Sequence, residues 1–414
     1  MCAAHSNPQE PRPLLSAAVL EWLAAPEAAP LLHALAGVAD TPAPSAIEAL
    51  RRTWGAERVA AALEVQLART RGADKFGARA RDLWLDREGA QMASSPAVAA
   101  WKARRFAGQR AVTDLCCGIG GDLMELARVA PARGVELDQA RAWMAARNSR
   151  APVEQRNALL HPVETPLVHA DPARRSGSTR LWTEDDLLPS LAELQRVMAP
   201  AEGSSVKLGP GMDLRQVPEG AEVEFISQDG TLVQQVLWTG CLAHAPGQRT
   251  ATCVCVGATI TGTPGPTPCT GSGQWLGMLA VPDPALERAR LVHLLPGAEP
   301  APGLGILTAD AFAPSPWLTV HRIVAQLPPR EHKVAAWLRQ HHSGTPVVHT
   351  RGKACDPDAW QAALREEPAR ASTAAAADAA PGARTAHTTR TTHHVWVLRV
   401  GAQRQALITL PSVP

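Results

Sequence analysis

The chain has 414 residues, a formal net charge of +2, and no tyrosine beside its 12 Trp and 4 Phe. Hydrophobic residues make up 45% and charged residues 19%, which predicts a folded protein with two or three domains. The absence of tyrosine excludes a tyrosine nucleophile, acid or stacking ring, and the near-neutral charge neither requires nor excludes a nucleic acid partner.

The eight cysteines form no paired CxxC motif, so we expect no metal site. The sequence shows no secretory signal pattern and no run of about 18 apolar residues. We therefore expect no membrane span, a cytoplasmic location and reduced thiols. The sequence leaves the oligomeric state open.

Residues 1–107 predict a helical N-terminal domain. Helical apolar spacing runs through Leu14–Leu35 and Ala46–Thr70, and two further helices are expected near Ala78–Leu85 and Pro96–Phe106. Nothing in this region alternates with a period of two, so no strand is expected in it.

Strands alternate with helices through residues 108–256, which predicts an α/β domain around a parallel sheet. The last of these helices is expected over Glu184–Met198. Asp229-Gly230 joins the last two strands and is a strong signal for an antiparallel hairpin. The expected strands are Ala111–Leu115, Gly134–Glu136, Val153–Gln155, Leu167–Ala170, Ser204–Leu208, Ala221–Ser227 and Thr231–Trp238.

The remaining chain predicts a linker and a smaller domain. Residues 257–274 are rich in Gly, Pro and Thr, which is typical of a linker, and residues 275–414 mix helices with short strands. Residues 366–394 contain few large apolar side chains and predict a flexible insertion, because they cannot bury enough surface to offset the entropy of ordering.

The turn Cys117-Gly118-Ile119-Gly120-Gly121-Asp122 follows the first expected strand of the α/β domain. Glycines between a strand and a helix let the backbone approach a ligand closely. Asp114 precedes the turn, and Glu136 ends the next strand, where a carboxylate can accept hydrogen bonds from both hydroxyls of a ribose. A tight turn with two incidental acids is the alternative interpretation.

Several segments resemble class I S-adenosylmethionine-dependent methyltransferases. Asp114–Asp122 resembles their first motif and Gly134–Asp138 their second. Other segments resemble a bacterial family of these enzymes that has a THUMP-like C-terminal domain: Asp171-Pro172-Ala173-Arg174-Arg175, Val206–Gly211, Arg351-Gly352, Asp74-Lys75-Phe76 and Gln91-Met92-Ala93. The resemblance implies a Rossmann-like core with a seven-stranded sheet and an antiparallel terminal hairpin. A helical N-terminal domain and a small α+β C-terminal domain would flank that core.

The same resemblance implies roles for individual residues toward S-adenosylmethionine. Asp114 would hold the amino group of the cofactor, and Glu136 would bind its ribose. Asn157 stands where an acid often lies near the adenine, and an amide can still pair with an adenine amino group. The expected cofactor-binding residues are Asp114, Cys117, Gly118, Gly120, Gly121, Glu136 and Asn157.

The acceptor is expected beside Asp171, at the end of the fourth strand. Methyltransferases that act on base amines often carry Asp/Asn-Pro-Pro-aromatic there, whereas this chain has Asp171-Pro172-Ala173-Arg174. We expect Asp171 and Arg174 to be catalytic, and Arg175 and Lys207 to bind a charged part of the substrate. A solvated loop is the alternative for the two arginines, and a strand-end lysine reaching water is the alternative for Lys207.

We interpret the chain as a methyltransferase that acts on RNA. A small-molecule or protein acceptor stays open as an alternative. So does a catalytically inactive binding protein, because of Asn157 and the missing aromatic ring. The basic strip Trp101–Arg105 is either a contact to a phosphate backbone or a solvated helix face.

Overall fold

The computed structural model describes residues 14–36, 43–108, 110–174, 186–213, 217–365 and 391–412, without the side chain of Arg174. The chain divides into two compact units, Met1–Thr250 and Ala251–Pro414. Arg175 and residues 366–390 of the expected insertion lie outside the described residues.

The first unit begins with helices and continues with alternating strands and helices. Its helices are α1 (Ala17–Ala24), α2 (Ala29–Leu35), α3 (Pro44–Trp54), α4 (Ala56–Phe76), α5 (Arg87–Met92), α6 (Pro96–Ala103), α7 (Leu123–Val129), α8 (Gln139–Ser149) and α9 (Leu191–Met198). Its strands are β1 (Val112–Leu115), β2 (Ala132–Glu136), β3 (Val153–Gln155), β4 (Leu167–Ala170), β5 (Ala173–Arg174), β6 (Leu187–Leu188), β7 (Gly203–Leu208), β8 (Glu222–Gln228) and β9 (Thr231–Gly240); β10 (Arg249–Cys253) crosses the division between the units.

Four predicted helices have different limits in the structure. The helix expected over Leu14–Leu35 is divided into α1 and α2 by a 3₁₀ turn at Pro26–Ala28, and the one expected near Ala78–Leu85 is a 3₁₀ helix over Gly77–Asp82. The helix expected over Ala46–Thr70 is broken at Gly55, whose φ of 84° lies in a region that residues with a side chain rarely adopt. The helix expected from Glu184 begins only at Leu191, where the Ser190 side chain accepts from the Glu193 amide and forms a capping box.

Within the first unit the strands of the main sheet are ordered β8-β9-β7-β4-β1-β2-β3. The pairs from β7 through β4, β1 and β2 to β3 are parallel, whereas β9 is antiparallel to both of its neighbours. The carboxyl ends of the parallel strands therefore meet at one edge, where β1 leads into the glycine turn and β4 leads into Asp171. Ligands of open α/β sheets bind at this edge.

The predicted hairpin between β8 and β9 is confirmed. Asp229 and Gly230 both have positive φ, at 50° and 70°, as a two-residue turn with the twist of the flanking strands requires.

The N-terminal helices share one hydrophobic core with the beginning of the sheet domain. Leu85 and Ile119 are buried in this core, together with Met144 of α8. Ile119 belongs to the glycine turn, so the packing of the helices fixes that turn from one side.

The second unit is built on a six-stranded sheet of order β13-β12-β14-β17-β16-β15. Its elements are β11 (Ala258–Gly262), β12 (Met278–Pro282), α10 (Pro284–Ala289), β13 (Leu307–Ala309), β14 (Leu318–Leu327), α11 (Glu331–Gln340), β15 (Val347–Arg351), α12 (Pro357–Leu364), β16 (His394–Val400) and β17 (Gln403–Pro411). The strand β11 lies within the stretch expected to be a linker, and β16 begins at the last residue of the expected insertion.

A histidine cluster lies on the sheet of the second unit. His349 stacks on Trp396 with ring centroids 4.0 Å apart, and its Nε2 lies 2.8 Å from Nδ1 of His394. His321 packs against the rings of His394 and Trp396. Burial, followed by repulsion from the neighbouring histidines, lowers the pKa of both His321 and His349 to about 4.

We expect this cluster to make the protein less stable in acid. His321 and His349 stay neutral in the fold but take up protons near pH 6.5 when unfolded, so stability falls as the pH drops from about 6.5 to about 4. In urea unfolding experiments, the equilibrium constant for unfolding should be at least about tenfold larger at about pH 4 than at about pH 6.5. A His349→Gln variant should lose less stability over this range than the wild type. An equal loss would contradict the role of His349 in acid sensitivity. The control is His332→Gln, a change at an exposed histidine, which should lose as much stability as the wild type.

Candidate active site

The glycine turn approaches its neighbours at van der Waals distance. Gly118 and Gly120 have φ values of 55° and 85°, which favour glycine. A side chain at Gly120 would start 3.1 Å from Cα of Ala145 in α8, so the turn lies directly on that helix. The Gly118 amide donates to Oε2 of Glu136 at 2.8 Å. The turn is thus tied to the end of β2.

A cavity of about 340 Å³ opens beside this turn. It contains most of the expected cofactor-binding residues and also Asp171. Predicted residues that line it are Cys117, Gly118, Gly121, Glu136, Asn157 and Asp171; Gly120 and Asp114 do not line it. The Asn157 side-chain oxygen accepts from the Leu159 amide at 2.9 Å, so part of its hydrogen-bonding capacity shapes the local turn.

Asp114 lies beneath the turn with 1% of its surface exposed. Neither of its carboxyl oxygens has a hydrogen-bond partner among the described residues. Burial, and then the negative charges of Asp122 and Asp171, raises the pKa of Asp114 well above its usual range. A buried carboxyl without a partner is costly, so this position suits a group that receives a donor from a ligand.

A buried polar network lies behind Asp114, and the sequence did not suggest it. The Lys102 ammonium lies 2.7 Å from Oδ1 of Asp122, whose other oxygen accepts from the Ser94 hydroxyl at 2.9 Å. His169 lies 3.4 Å from Asp122, and its Nδ1 is 2.6 Å from the Ser205 hydroxyl. The network joins α6, the glycine turn, β4 and β7.

The charges in this network have defined states. Although burial alone would raise it, the Lys102 ammonium and His169 hold the pKa of Asp122 well below its usual range. Burial and the Lys102 ammonium lower the pKa of His169, which favours a neutral imidazole. Burial also lowers the pKa of Lys102, and the adjacent Asp122 carboxylate opposes this. At 2.7 Å the two groups form a buried ion pair.

A second cavity, of about 780 Å³, adjoins the first. Met92, Ala93, Arg141, Asp171 and Ala173 line both cavities. Asp171 thus lies where the two spaces meet.

Lys207 contacts the carboxylate of Asp171, since its Nζ donates to Oδ2 at 2.8 Å. Burial lowers the pKa of Lys207, but Asp171 and the other acidic groups nearby together raise it by more, so the pKa is higher than usual. The ammonium is therefore engaged by the protein rather than reaching water as a free strand-end lysine. The side chain of Arg174 and all of Arg175 lie outside the described residues.

The basic strip Trp101–Arg105 is not a uniformly solvated or phosphate-binding face. Lys102 is 2% exposed and paired with Asp122. Arg105 binds Glu222 through both terminal nitrogens, at 2.7 and 2.8 Å. Two of the three basic side chains therefore connect α6 and the turn after it to the sheet domain, and neither is free to bind phosphate.

The described residues contain no group of three or more His, Cys, Asp or Glu side chains that could hold a metal ion. None of their helices is both long and apolar enough to cross a membrane.

Comparison with known proteins identifies relatives over most of the chain. No protein-family model matches it. Two proteins from strains of Mycobacterium tuberculosis are each 33% identical over 327 residues, covering 73% of this chain and 88% of the relative. Both are named as uncharacterized S-adenosylmethionine-dependent methyltransferases. A solved structure from Porphyromonas gingivalis W83, described as a candidate methyltransferase, covers 96% of this chain and 98% of its own. Its TM-score is 0.68 at 15% identity, a likeness of fold that fits a Rossmann-like α/β architecture.

We expect the Lys102–Asp122 pair to be important for stability. Replacing Lys102 with Met removes the cation and leaves a buried carboxylate uncompensated, which costs about 3–5 kcal/mol of unfolding free energy. Urea denaturation followed by circular dichroism measures this. The exposed pair Arg51–Glu48 offers a control, since Arg51→Met should change stability by less than about 1 kcal/mol. Equal effects of the two substitutions would contradict the prediction.

Proposed function

Since this chain belongs to the S-adenosylmethionine-dependent methyltransferases, we propose that it transfers a methyl group to a nucleophile held beside Asp171. S-adenosylmethionine is its cofactor. The observation that carries the proposal is the position of Asp171, which lines both the cavity at the glycine turn and the larger cavity next to it.

The residues around the smaller cavity fit this cofactor. The glycine turn leaves backbone exposed to the space, and the Glu136 carboxylate borders it. Glu136 accepts amide hydrogen bonds from Gly118 and Asp138, and each oxygen keeps a further lone pair for a ribose hydroxyl. The unpartnered Asp114 carboxyl suits the amino group of the cofactor. In this proposal Cys117, Gly120 and Gly121 shape the turn, and Asn157 lies at the adenine.

When bound, S-adenosylmethionine supplies a methyl group attached to a positively charged sulfur. The protein contributes placement of the nucleophile in line with that methyl group. Asp171 would accept a hydrogen bond from the acceptor and take its proton, and Lys207 would hold the Asp171 carboxylate in position. Arg174 would act with Asp171 as a catalytic residue, and Arg175 would bind a charged part of the acceptor.

RNA is the acceptor class that we propose. Its support is the resemblance of residues 275–414 to a THUMP-like domain, beside a core at residues 108–256 and a helical domain at 1–107. A small-molecule or protein acceptor is the alternative, supported by the near-neutral net charge and by the engaged cations of the strip Trp101–Arg105. A catalytically inactive binding protein is the weaker interpretation, because Asp171 still borders the larger cavity, where an acceptor could bind.

Replacing Asp171 with Asn should abolish methyl transfer while cofactor binding persists. A positioned acid or base contributes about a hundredfold or more to a rate, and an amide cannot take the proton. We would incubate the protein with methyl-labelled cofactor and total RNA from a strain that lacks it, and measure the label in RNA.

The control for this experiment is Glu164→Gln, an equivalent change at an exposed carboxylate. Label that appears in RNA with the wild type and control but not with Asp171→Asn supports the RNA proposal. Label found only in small-molecule or protein fractions would contradict RNA as the acceptor and support those acceptors instead. If calorimetry with millimolar cofactor detects no heat of binding, this would contradict the proposed cofactor site itself.

Cofactor affinity should rise with pH because of Asp114. Its raised pKa keeps the carboxyl protonated at low pH, and the cationic amino group of the cofactor requires the ionised form. Affinity should increase by up to about tenfold per pH unit until Asp114 is ionised, and binding should release a proton. Calorimetry in buffers of different ionisation enthalpy measures both effects. An Asp114→Asn variant should bind weakly without this rise, and wild-type affinity that stays constant with pH below about 8, where the amino group of the cofactor is still charged, would contradict the role.

A further inference from the structure

Two segments that the sequence singled out meet in the structure. Lys75 lies near the end of α4, and Gln91-Met92-Ala93 follows at the end of α5. The Nζ of Lys75 donates to the carbonyls of Ala90 at 2.8 Å, Gln91 at 2.6 Å and Ala93 at 2.9 Å. A lysine ammonium has three donors, so these carbonyls use all of them.

The one carbonyl of this stretch that Lys75 does not bind is bound by another lysine. Met92 accepts from Nζ of Lys207 at 2.9 Å, and the same ammonium donates to Asp171. Four consecutive carbonyls, from residue 90 to residue 93, are therefore held by two ammonium groups.

Residues 90–95 form a wall beside the two cavities, and five of these six residues line at least one of them. Met92 and Ala93 line both spaces, and Gln91, Ser94 and Ser95 line only the larger one. On its other side the wall packs closely on the glycine turn, since a side chain at Gly121 would start 2.9 Å from Cβ of Ala93. A shift of this segment would change the shape of both cavities.

We propose that Lys75 is a positioning residue whose ammonium holds the wall at residues 90–95 and thereby sets how an acceptor meets the cofactor. The inference rests on the proposed function for the identity of the larger cavity as the acceptor site. The hydrogen bonds that hold the wall are independent of that function. Lys75 also lines the larger cavity, but its three donors are used by the carbonyls of the wall, so we expect it to act through the wall.

The charge of Lys75 is responsive to pH near neutrality. Burial, and then repulsion by Lys207, lowers its pKa to about 8, while Asp171 acts in the opposite direction. Charged groups line the cavities that Lys75 borders: Glu64, Arg71 and Asp74 on its own helix, Asp86 before α5, Arg87 and Glu88 on α5, Arg141 on α8, and Asp171 and Lys207 at the ends of their strands. A neutral amine has one donor fewer, so the wall should loosen as the pH rises through about 8.

The wall can be observed without knowing the acceptor. Amide hydrogen exchange followed by mass spectrometry reports on residues 90–95, where the Ala93 amide donates to Gly89. A Lys75→Met variant should lose about tenfold or more of the protection in this segment, while β1 and β4 stay protected. Cofactor affinity should fall by at least about threefold, measured by calorimetry.

A matched control is Arg69→Met on the same helix. Arg69 also donates to a backbone carbonyl, that of Leu83 at 2.9 Å, but it does not touch the wall. This variant should leave exchange at residues 90–95 and cofactor affinity unchanged. Equal effects of Lys75→Met and Arg69→Met would mean that Lys75 has only a general structural role, and this overturns the proposal.

The pH dependence provides a test that does not need a destabilised variant. In the wild type, protection of residues 90–95 should fall by up to about tenfold between pH 7 and pH 9, after correction for intrinsic exchange rates. A Lys75→Arg variant stays charged and should show no such fall. Wild-type protection that is constant over this range overturns the proposal, even if Lys75→Met fails to fold.

Kinetics separate this proposal from the proposed function. If the wild type transfers label to an acceptor and Lys75→Met does so at the same rate and affinity, the positioning role fails and the methyltransferase assignment stands. If the exchange results are as expected but no acceptor fraction takes up label, the wall is held as proposed and the acceptor assignment fails instead.

Discussion

The site depends on the burial of positive charge at the carboxyl edge of the sheet. Of the five lysines in the chain, Lys75, Lys102 and Lys207 lie around this edge, buried or half-buried. An ammonium removed from water must be bonded to oxygen, so each lysine fixes the position of its partners. Lys102 fixes Asp122, Lys207 fixes Asp171, and Lys75 fixes the wall. The contacts of Lys75 and Lys207 lie at the larger cavity, and that of Lys102 lies at the end of the glycine turn.

The N-terminal helices are consequently part of the site rather than an appendage to the sheet. Their core includes Ile119 from the glycine turn, and α5 leads into the wall that borders both cavities. Ser94 follows α5, and Lys102 lies on α6. Both bond to Asp122 at the other end of the same turn. A turn held on two sides needs little reorganisation when a ligand arrives.

Local signals in the sequence were sufficient for the strands, the hairpin and the glycine turn, because period, glycine and Asp-Gly act over a few residues. The partners of charged side chains could not be predicted, since they depend on contacts between distant parts of the chain. Lys102 looked like a cation on a solvated helix, yet it is buried against Asp122. His169 could have been noticed, because it is a polar residue inside an otherwise apolar strand two residues before Asp171. The apolar helical period continues across Gly55, so the period alone does not reveal the break that its positive φ makes.

The shared wall has a consequence for how the two ligands influence each other. A segment that borders both cavities cannot adjust to one occupant without altering the fit of the other. Thermodynamic linkage then makes the effect reciprocal: any factor by which the cofactor strengthens acceptor binding is the factor by which the acceptor strengthens cofactor binding. The same reciprocity applies to the two products, because the wall borders both of the spaces that they would leave.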